Sequence, residues 1–353
     1  MTGLTAMETD TTADMGPLLA WARALVSPAL RNAIDRMPHP ECLIAGYHRG
    51  WHEADGSPLR EIPAGERGGK AVRPALVFLA ARAVGGSAEC AVPGAVAVEL
   101  IHDFSLLHDD VIDGDPMRRH QSAAWMVYGT PAAVLAGDAL LVSALCTLAD
   151  SPTPFADAAV RETLAMLGEL MVGQSQDVTF ESRTDVGVRQ YLTMAAGKTG
   201  ALMGCACALG GVLAGAGEER VSGLREFGRC LGLAFQCVDD LLGIWGECKR
   251  SGKPVGADLA ARKKSLPVVA ALADDGPAGR RLAALYERQE ALDEDGIALV
   301  AELIERAGGR ERTELEVKRQ TAAAMRALSR AEPTAEVYQQ LHCLARLLTD
   351  RDH

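Results

Sequence analysis

The stretch ELIHDFSLLHDDVID, residues 99–113, is an apolar helical pattern that ends in three carboxylates. Its apolar residues recur at spacings of three and four, which predicts a helix with one face in the core. Asp109 and Asp113 are four residues apart and therefore share a helix face, with Asp110 beside them. Clustered carboxylates repel one another unless a cation offsets their charge, and their oxygens suit a hard divalent ion. A solvated acidic helix end is the alternative for this motif taken alone.

A second acidic motif, FQCVDDLLG, occupies residues 235–243 and also closes an apolar run. Two such helices that face each other across a cavity can share metal ions. Magnesium suits carboxylate oxygens and leaves coordination positions open for phosphate. The predicted metal ligands are Asp109, Asp110, Asp113, Asp239 and Asp240.

Basic residues recur close to both acidic motifs. Lys70 and Arg73 follow two glycines at the predicted start of a helix, an arrangement suited to anion capture. An exposed Lys or Arg is usually only a solvated surface residue, but these cations occur in an ordered combination that favours diphosphate binding. The other cations near the motifs are Arg118, Arg119, Lys198, Lys253 and Lys263.

The rest of the chain predicts a single all-α domain. Apolar residues recur at helical spacing from Leu18 onward, and neither strand alternation, nor a long linker, nor a repeat is visible. Aromatic residues make up only 4% of the 353 residues, which favours helices over a β-sandwich. We expect a flexible arm over residues 1–15 and one domain of roughly ten to thirteen helices over residues 16–353.

Charge and composition exclude several functions. A net charge of −11 argues against broad binding to nucleic acid or to an anionic membrane. The nine cysteines form no C-x-x-C pair, and the N-terminus lacks the pattern of a secretory signal, so we expect a cytoplasmic protein. Residues 199–217 carry no charge and are long enough to span a membrane, but six of them are glycine. We therefore predict a buried helix there and no transmembrane segment.

The ordered motifs between residues 68 and 267 resemble those of the trans-isoprenyl diphosphate synthases, the polyprenyl synthetase family. They are GGKAVRP, HDFSLLHDDVID with RR behind it, GQSQD, KT, FQCVDD and GKPVGADL. The likeness is greatest to the short-chain geranylgeranyl diphosphate synthases. It implies a helical bundle around a deep central cavity, usually in a homodimer, with three magnesium ions between the Asp motifs and an allylic diphosphate. The implied reaction condenses this diphosphate with isopentenyl diphosphate into a trans-prenyl diphosphate.

The resemblance also assigns roles to individual residues. The five aspartates would hold metal and, with Lys198, act in catalysis, while Gln174 and Gln236 would support the site. The residues that resemble the allylic diphosphate site are Lys198, Thr199, Lys253, Lys263 and Arg118. Those that resemble the isopentenyl diphosphate site are Lys70, Arg73, His102 and Arg119. For Asp177, a surface charge and a site residue are both open interpretations.

Gly243 departs from the family pattern because many relatives carry a third Asp at this position. Glu247, two helical turns after Asp239, is a candidate substitute. The same string also resembles the metal motif of class I terpene cyclases, which use the same ionisation chemistry. A cyclase has no isopentenyl diphosphate to hold, so the cations of that predicted site favour chain elongation. A non-catalytic subunit of a heteromeric synthase is a weaker alternative than the cyclase, because nearly all of the predicted metal and diphosphate ligands are retained.

Product length depends on how far the cavity extends beside the first motif. Phe104 lies five residues before Asp109, and the small Ser105 lies four before it. An aromatic followed by a small residue resembles the pattern of short-chain geranylgeranyl (C20) synthases, with Phe104 as the floor of the cavity. Ordinary core packing is the alternative role for Phe104.

Overall fold

A computed structural model describes residues 15–59, 69–119, 121–246, 256–287 and 292–350. Helices account for nearly all of the regular structure in these ranges. The α-helices are α1 Met15–Asp35, α2 Glu41–His48, α3 Val72–Ala83, α4 Val92–Ile112, α5 Ala124–Tyr128, α6 Thr130–Ala149, α7 Ala156–Glu181, α8 Val188–Ala195, α9 Ala201–Leu213, α10 Glu218–Trp245, α11 Ala257–Ala260, α12 Leu266–Leu272, α13 Pro277–Tyr286, α14 Glu294–Arg306, α15 Gly309–Ser329 and α16 Ala335–Thr349. A two-stranded hairpin pairs β1 Met117–Arg118 with β2 Gln121–Ser122.

The bundle is built around α9, the glycine-rich segment predicted to be a buried helix. All of α9 except Val212 is buried, and helices α3, α7 and α10 pack against it. Small side chains let these helices approach closely, so an uncharged segment forms the centre of an all-α domain. The predicted all-α fold is therefore confirmed.

Helices α4 and α10 position the two acidic motifs. Each is apolar over most of its length and ends close to its aspartates, and neither has a basic residue in its last turn. A helix C-terminus carries partial negative charge, so the aspartates at the end of α4 add to an already unfavourable potential, whereas Asp239 lies six residues before the end of α10. The fold therefore creates two acidic clusters that a cation can stabilise.

The described residues contain more helices than predicted, because helices of four to eight residues such as α5, α8 and α11 are too short to show a period. Helix α1 begins at Met15, one residue before the predicted start of the domain, and residues 1–14 lie outside the described residues.

Three helical segments are long and apolar enough to cross a membrane, namely Glu89–Ile112, Thr130–Ala149 and Val188–Leu213. The first and third are largely buried within the bundle, whereas two thirds of the apolar window in Thr130–Ala149 is not. The expected cytoplasmic location stays a prediction.

Candidate active site

The first acidic motif borders a cavity of about 400 Å³. Asp109 lines this cavity, and burial raises the pKa of its carboxyl to about 6. Asp110 is buried and accepts a hydrogen bond from Arg118 Nε at 2.8 Å, while its Oδ2 has no hydrogen-bond partner among the described residues. Asp113 ends the helix and is exposed. The motif thus presents oxygen ligands both to the cavity and to solvent.

The second motif faces the same cavity through Asp239. Its neighbour Asp240 is buried and accepts hydrogen bonds from the Tyr191 hydroxyl, from Gln236 Nε2 at 3.1 Å and from the Leu266 backbone N–H at 2.8 Å. Burial nevertheless raises the pKa of Asp240, since three neutral donors do not replace the water that it lost. In this structure Asp240 ties α10 to α8 and α12 and so fixes the direction of Asp239.

Lys198 and Thr199 lie on a π-helical turn, Ala196–Gly200, between α8 and α9. Such turns interrupt a helix and frequently occur at functional sites. Lys198 pairs with Asp177 at 2.5 Å, and Thr199 Oγ1 donates to Gln236 Oε1 at 2.7 Å. A Cβ on Gly173 of α7 would lie 2.3 Å from the Lys198 backbone nitrogen, so only glycine allows α7 to approach the turn this closely. The carboxylate of Asp177 therefore lies against a predicted site lysine, which favours its interpretation as a site residue over that as a surface charge.

A second, smaller pocket of about 170 Å³ adjoins the first and shares Arg73, His102 and Phe235 with it. The four residues predicted for isopentenyl diphosphate all line it, and these are Lys70, Arg73, His102 and Arg119. Burial and the nearby arginines lower the pKa of His102 well below its usual value, so the imidazole is neutral. The pocket therefore offers three cations and one neutral ring to an anion, and Glu99, which is paired with Arg49, also lines it.

Backbone strain marks the same pocket. Ala71 and Arg119 adopt left-handed backbone conformations with φ of 55° and 51°. Side chains other than glycine rarely adopt this region, and its cost is of the order of 1–3 kcal/mol per residue where the surroundings impose it. Each of these two residues is one of the predicted cations or directly follows one, so this backbone conformation helps to set the direction of their side chains.

Sequence reasoning missed a buried ion network behind this pocket. Arg49, the residue that directly follows α2, is ion-paired with Asp103 and with Glu99, the latter at 2.9 Å. Asp103 Oδ1 also lies 3.8 Å from Arg119 Nη2. The network links residues some fifty positions apart, and its only sequence signal was an Asp placed within an apolar helical run.

Two of the remaining predicted residues lie at the main cavity or its extension. Lys263 lines a small extension of about 60 Å³ together with Lys198 and Gln236, and Gln174 lines the main cavity. Arg118 is engaged by Asp110 rather than facing a cavity, and the predicted ligands Lys253 and Glu247 lie outside the described residues.

The predicted chain-length residues lie on the wall of the main cavity. Phe104 and Ser105 both line it, and Phe104 is only 4% exposed. The Phe104 ring packs edge-on against His108, with 4.7 Å between ring centroids. Phe104 thus lines the cavity and packs in the core at the same time, so its two proposed roles are compatible.

The donor set suits a magnesium ion that binds together with a diphosphate. No group of three His, Cys, Asp or Glu within the described part of the chain is close enough to hold a metal unaided. Magnesium is usually held by one or two carboxylates plus substrate phosphates, and Asp109 and Asp239 line one cavity beside lysine and arginine side chains.

An all-α fold in which two acidic motifs share a cavity beside a cation-lined pocket is the arrangement expected of an enzyme that acts on diphosphate esters. The family model for polyprenyl synthetase matches residues 63–304. The chain is 44% identical over 339 residues to the (2E,6E)-farnesyl diphosphate synthase of Mycobacterium tuberculosis, covering 95% of this chain and 93% of the relative. It is 47% identical over 299 residues to the geranylgeranyl diphosphate synthase of the same organism, covering 84% of each chain.

Among solved structures, the polyprenyl synthetase from Streptomyces coelicolor A3(2) aligns with a TM-score of 0.90 at 45% identity, covering 95% of this chain and 99% of that one. The chain belongs to the polyprenyl synthetase family. It is a trans-prenyltransferase that makes a short-chain prenyl diphosphate from isopentenyl diphosphate and an allylic diphosphate.

Proposed function

We propose that the enzyme is a magnesium-dependent geranylgeranyl diphosphate synthase that adds isopentenyl diphosphate to the C15 primer farnesyl diphosphate. The observation that carries this proposal is the main cavity, which joins both acidic motifs to an apolar wall ending at Phe104. The lining of this cavity is polar at Asp109, Lys198 and Asp239 and apolar at Phe104, so it can receive both the diphosphate and the prenyl tail of a primer.

The charged residues divide the chemistry between the two pockets. Asp109, Asp113 and Asp239 would hold magnesium, which when bound supplies Lewis acidity to the departing diphosphate. Lys198, with Thr199 beside it, would hold the same diphosphate from the opposite side.

In the smaller pocket, Lys70, Arg73 and Arg119 would orient isopentenyl diphosphate so that its double bond faces the primer. Neutral His102 lines both pockets and can donate one hydrogen bond without adding charge. The apolar wall, which includes Leu170 and Leu202, keeps water from the allylic cation.

The test is product analysis with purified protein, magnesium and either geranyl or farnesyl diphosphate, with and without labelled isopentenyl diphosphate. Labelled C20 alcohol after phosphatase treatment is expected from both primers, and EDTA should stop its formation. A C15 product alone would contradict the proposed length. A cyclic hydrocarbon formed without isopentenyl diphosphate would instead identify the protein as a class I terpene cyclase.

We further propose that a second copy of the chain covers the exposed face of α6 and α7. Leu164, Met171 and Val178 repeat every seven residues on α7 and are 42–50% exposed. Leu135 and Val142, also seven apart, are exposed on neighbouring α6. Heptad spacing is the pattern by which helices interdigitate, and a monomer rarely exposes so continuous an apolar face.

Sedimentation velocity at micromolar concentration tests this arrangement. The wild-type chain should sediment as a dimer, and the pair Leu135→Glu with Leu164→Glu should produce monomers, since charges buried in an interface are costly. Leu315→Glu is the matched control, because Leu315 is equally exposed but lies on α15. A monomeric wild-type protein would contradict the dimer.

A further inference from the structure

The third position of the second acidic motif lacks a side chain. Gly243 is four residues after Asp239 on α10 and therefore lies on the same helix face. A carboxylate at this position would lie beside the metal that Asp239 is proposed to hold. The candidate substitute from sequence, Glu247, is outside the described residues.

A different carboxylate lies beside this position. A Cβ built on Gly243 would be 2.2 Å from Asp258 Oδ2 and 2.8 Å from Asp258 Cγ. The Asp258 carboxylate therefore occupies the space that a side chain at position 243 would take. A larger residue at 243 would displace the Asp258 carboxylate from this position, so Gly243 leaves room for it.

Helix α11 and the turn after it hold Asp258 in place. Asp258 is in the first turn of α11, which packs on α10, and the Lys263 backbone N–H donates to the Asp258 carbonyl at 2.9 Å. Arg262, between them, has a left-handed backbone with φ of 51°. This is the same type of strain seen at Ala71 and Arg119 of the smaller pocket, so the turn is imposed by its surroundings.

The charges around Lys263 connect Asp258 to both motifs. Burial by itself would lower the pKa of Lys263, but Asp258 raises it, followed by Asp240, Asp177 and Asp113. Lys263 is thus within electrostatic range of carboxylates from both motifs and of Asp258. Asp258 is half-buried and lies beside Gly243, which is on the helix face that carries Asp239.

We propose that Asp258 supplies the third carboxylate of the second acidic motif, binding the magnesium ion or its coordinated water in place of a side chain at position 243. The inference rests on the proposed magnesium-dependent function. The carboxylate is carried by a separate helix, so the motif is completed through space instead of along one helix face.

Exchange of the two residues tests the inference. Three variants are needed: Asp258→Asn, Gly243→Asp, and the double exchange Gly243→Asp with Asp258→Gly. The readout is binding of Mn²⁺ in the presence of inorganic pyrophosphate, followed by electron paramagnetic resonance of free Mn²⁺. Asp258→Asn keeps the shape of the side chain but removes its charge, so it separates a ligand role from a packing role.

Asp258→Asn should weaken Mn²⁺ binding by about 10- to 100-fold, which is the usual loss when a group that holds a metal's ligands in place is removed. Gly243→Asp should also weaken binding, because its side chain displaces the Asp258 carboxylate. The double exchange should restore affinity to within a few fold of wild type. Asp35→Asn, which removes an exposed charge at the end of α1, is the matched control and should leave binding unchanged.

Two results would overturn the inference: wild-type Mn²⁺ affinity in Asp258→Asn, or a double exchange that binds no better than the weaker single variant. Circular dichroism on each variant identifies loss of fold. If the wild-type protein neither binds Mn²⁺ with pyrophosphate nor needs a metal for condensation, the proposed function itself fails. If wild type does both and only the Asp258 results disagree, the inference alone is wrong.

Discussion

Phe104→Ala should lengthen the product by one isoprene unit relative to the wild-type product. Phe104 is almost fully buried and closes the wall of the main cavity against His108. Truncating a buried phenylalanine costs about 3–5 kcal/mol when the space stays empty. One isoprene unit adds five carbons, and burying them gains about 4 kcal/mol at roughly 0.8 kcal/mol per carbon. The two magnitudes are similar, so a prenyl chain that grows into the vacated space offsets most of the loss.

The measurement is chain length by mass spectrometry of dephosphorylated products, combined with thermal unfolding with and without the bound product. The variant should unfold at a lower temperature than wild type, and its longer product should recover more of that loss than the wild-type product does. Leu107→Ala is the control on the same helix: Leu107 is buried but does not line the cavity. It should cost about 2–5 kcal/mol of stability without altering chain length. A folded Phe104→Ala enzyme with unchanged products would refute the reasoning and place the floor elsewhere.

Three further outcomes follow from the buried charges. Tyr191→Phe removes a donor from the buried Asp240 carboxylate and should cost about 1–3 kcal/mol in thermal unfolding and lower kcat. Arg49→Gln leaves Arg119 as the arginine beside the buried Asp103 and so draws Arg119 away from the smaller pocket; steady-state kinetics should show a higher KM for isopentenyl diphosphate only, and an equal rise for the allylic substrate would contradict this. Because burial raises the pKa of Asp109 to about 6, protons compete with metal below that pH, and apparent Mg²⁺ affinity should fall about tenfold per pH unit there. In metal-free protein the raised pKa of Asp109 contributes stability that is fully present below about pH 4 and is lost as the pH rises through 6. Measuring unfolding in EDTA at pH 5 and at pH 7 checks this.

The helical fold and the two acidic motifs could be predicted from the sequence because both depend on residues close together in the chain. A 3.6-residue period specifies a buried face, and i, i+4 spacing aligns Asp109 with Asp113 on one helix. The resemblance to the polyprenyl synthetase family also indicated which residues belong to each substrate, and the structure gathers all four predicted for isopentenyl diphosphate around one pocket.

Contacts between distant segments could not be predicted in the same way. The Arg49–Asp103 pair joins α4 to the segment after α2, and Asp258 reaches Gly243 from another helix. Periodicity says which face of a helix is buried but not which residue of another helix will meet it. That choice is made by packing, where a missing side chain at Gly173 or Gly243 lets a neighbouring segment approach within contact distance. The sequence by itself determined the helices and their acidic ends, and only the tertiary structure decided which charges complete the site.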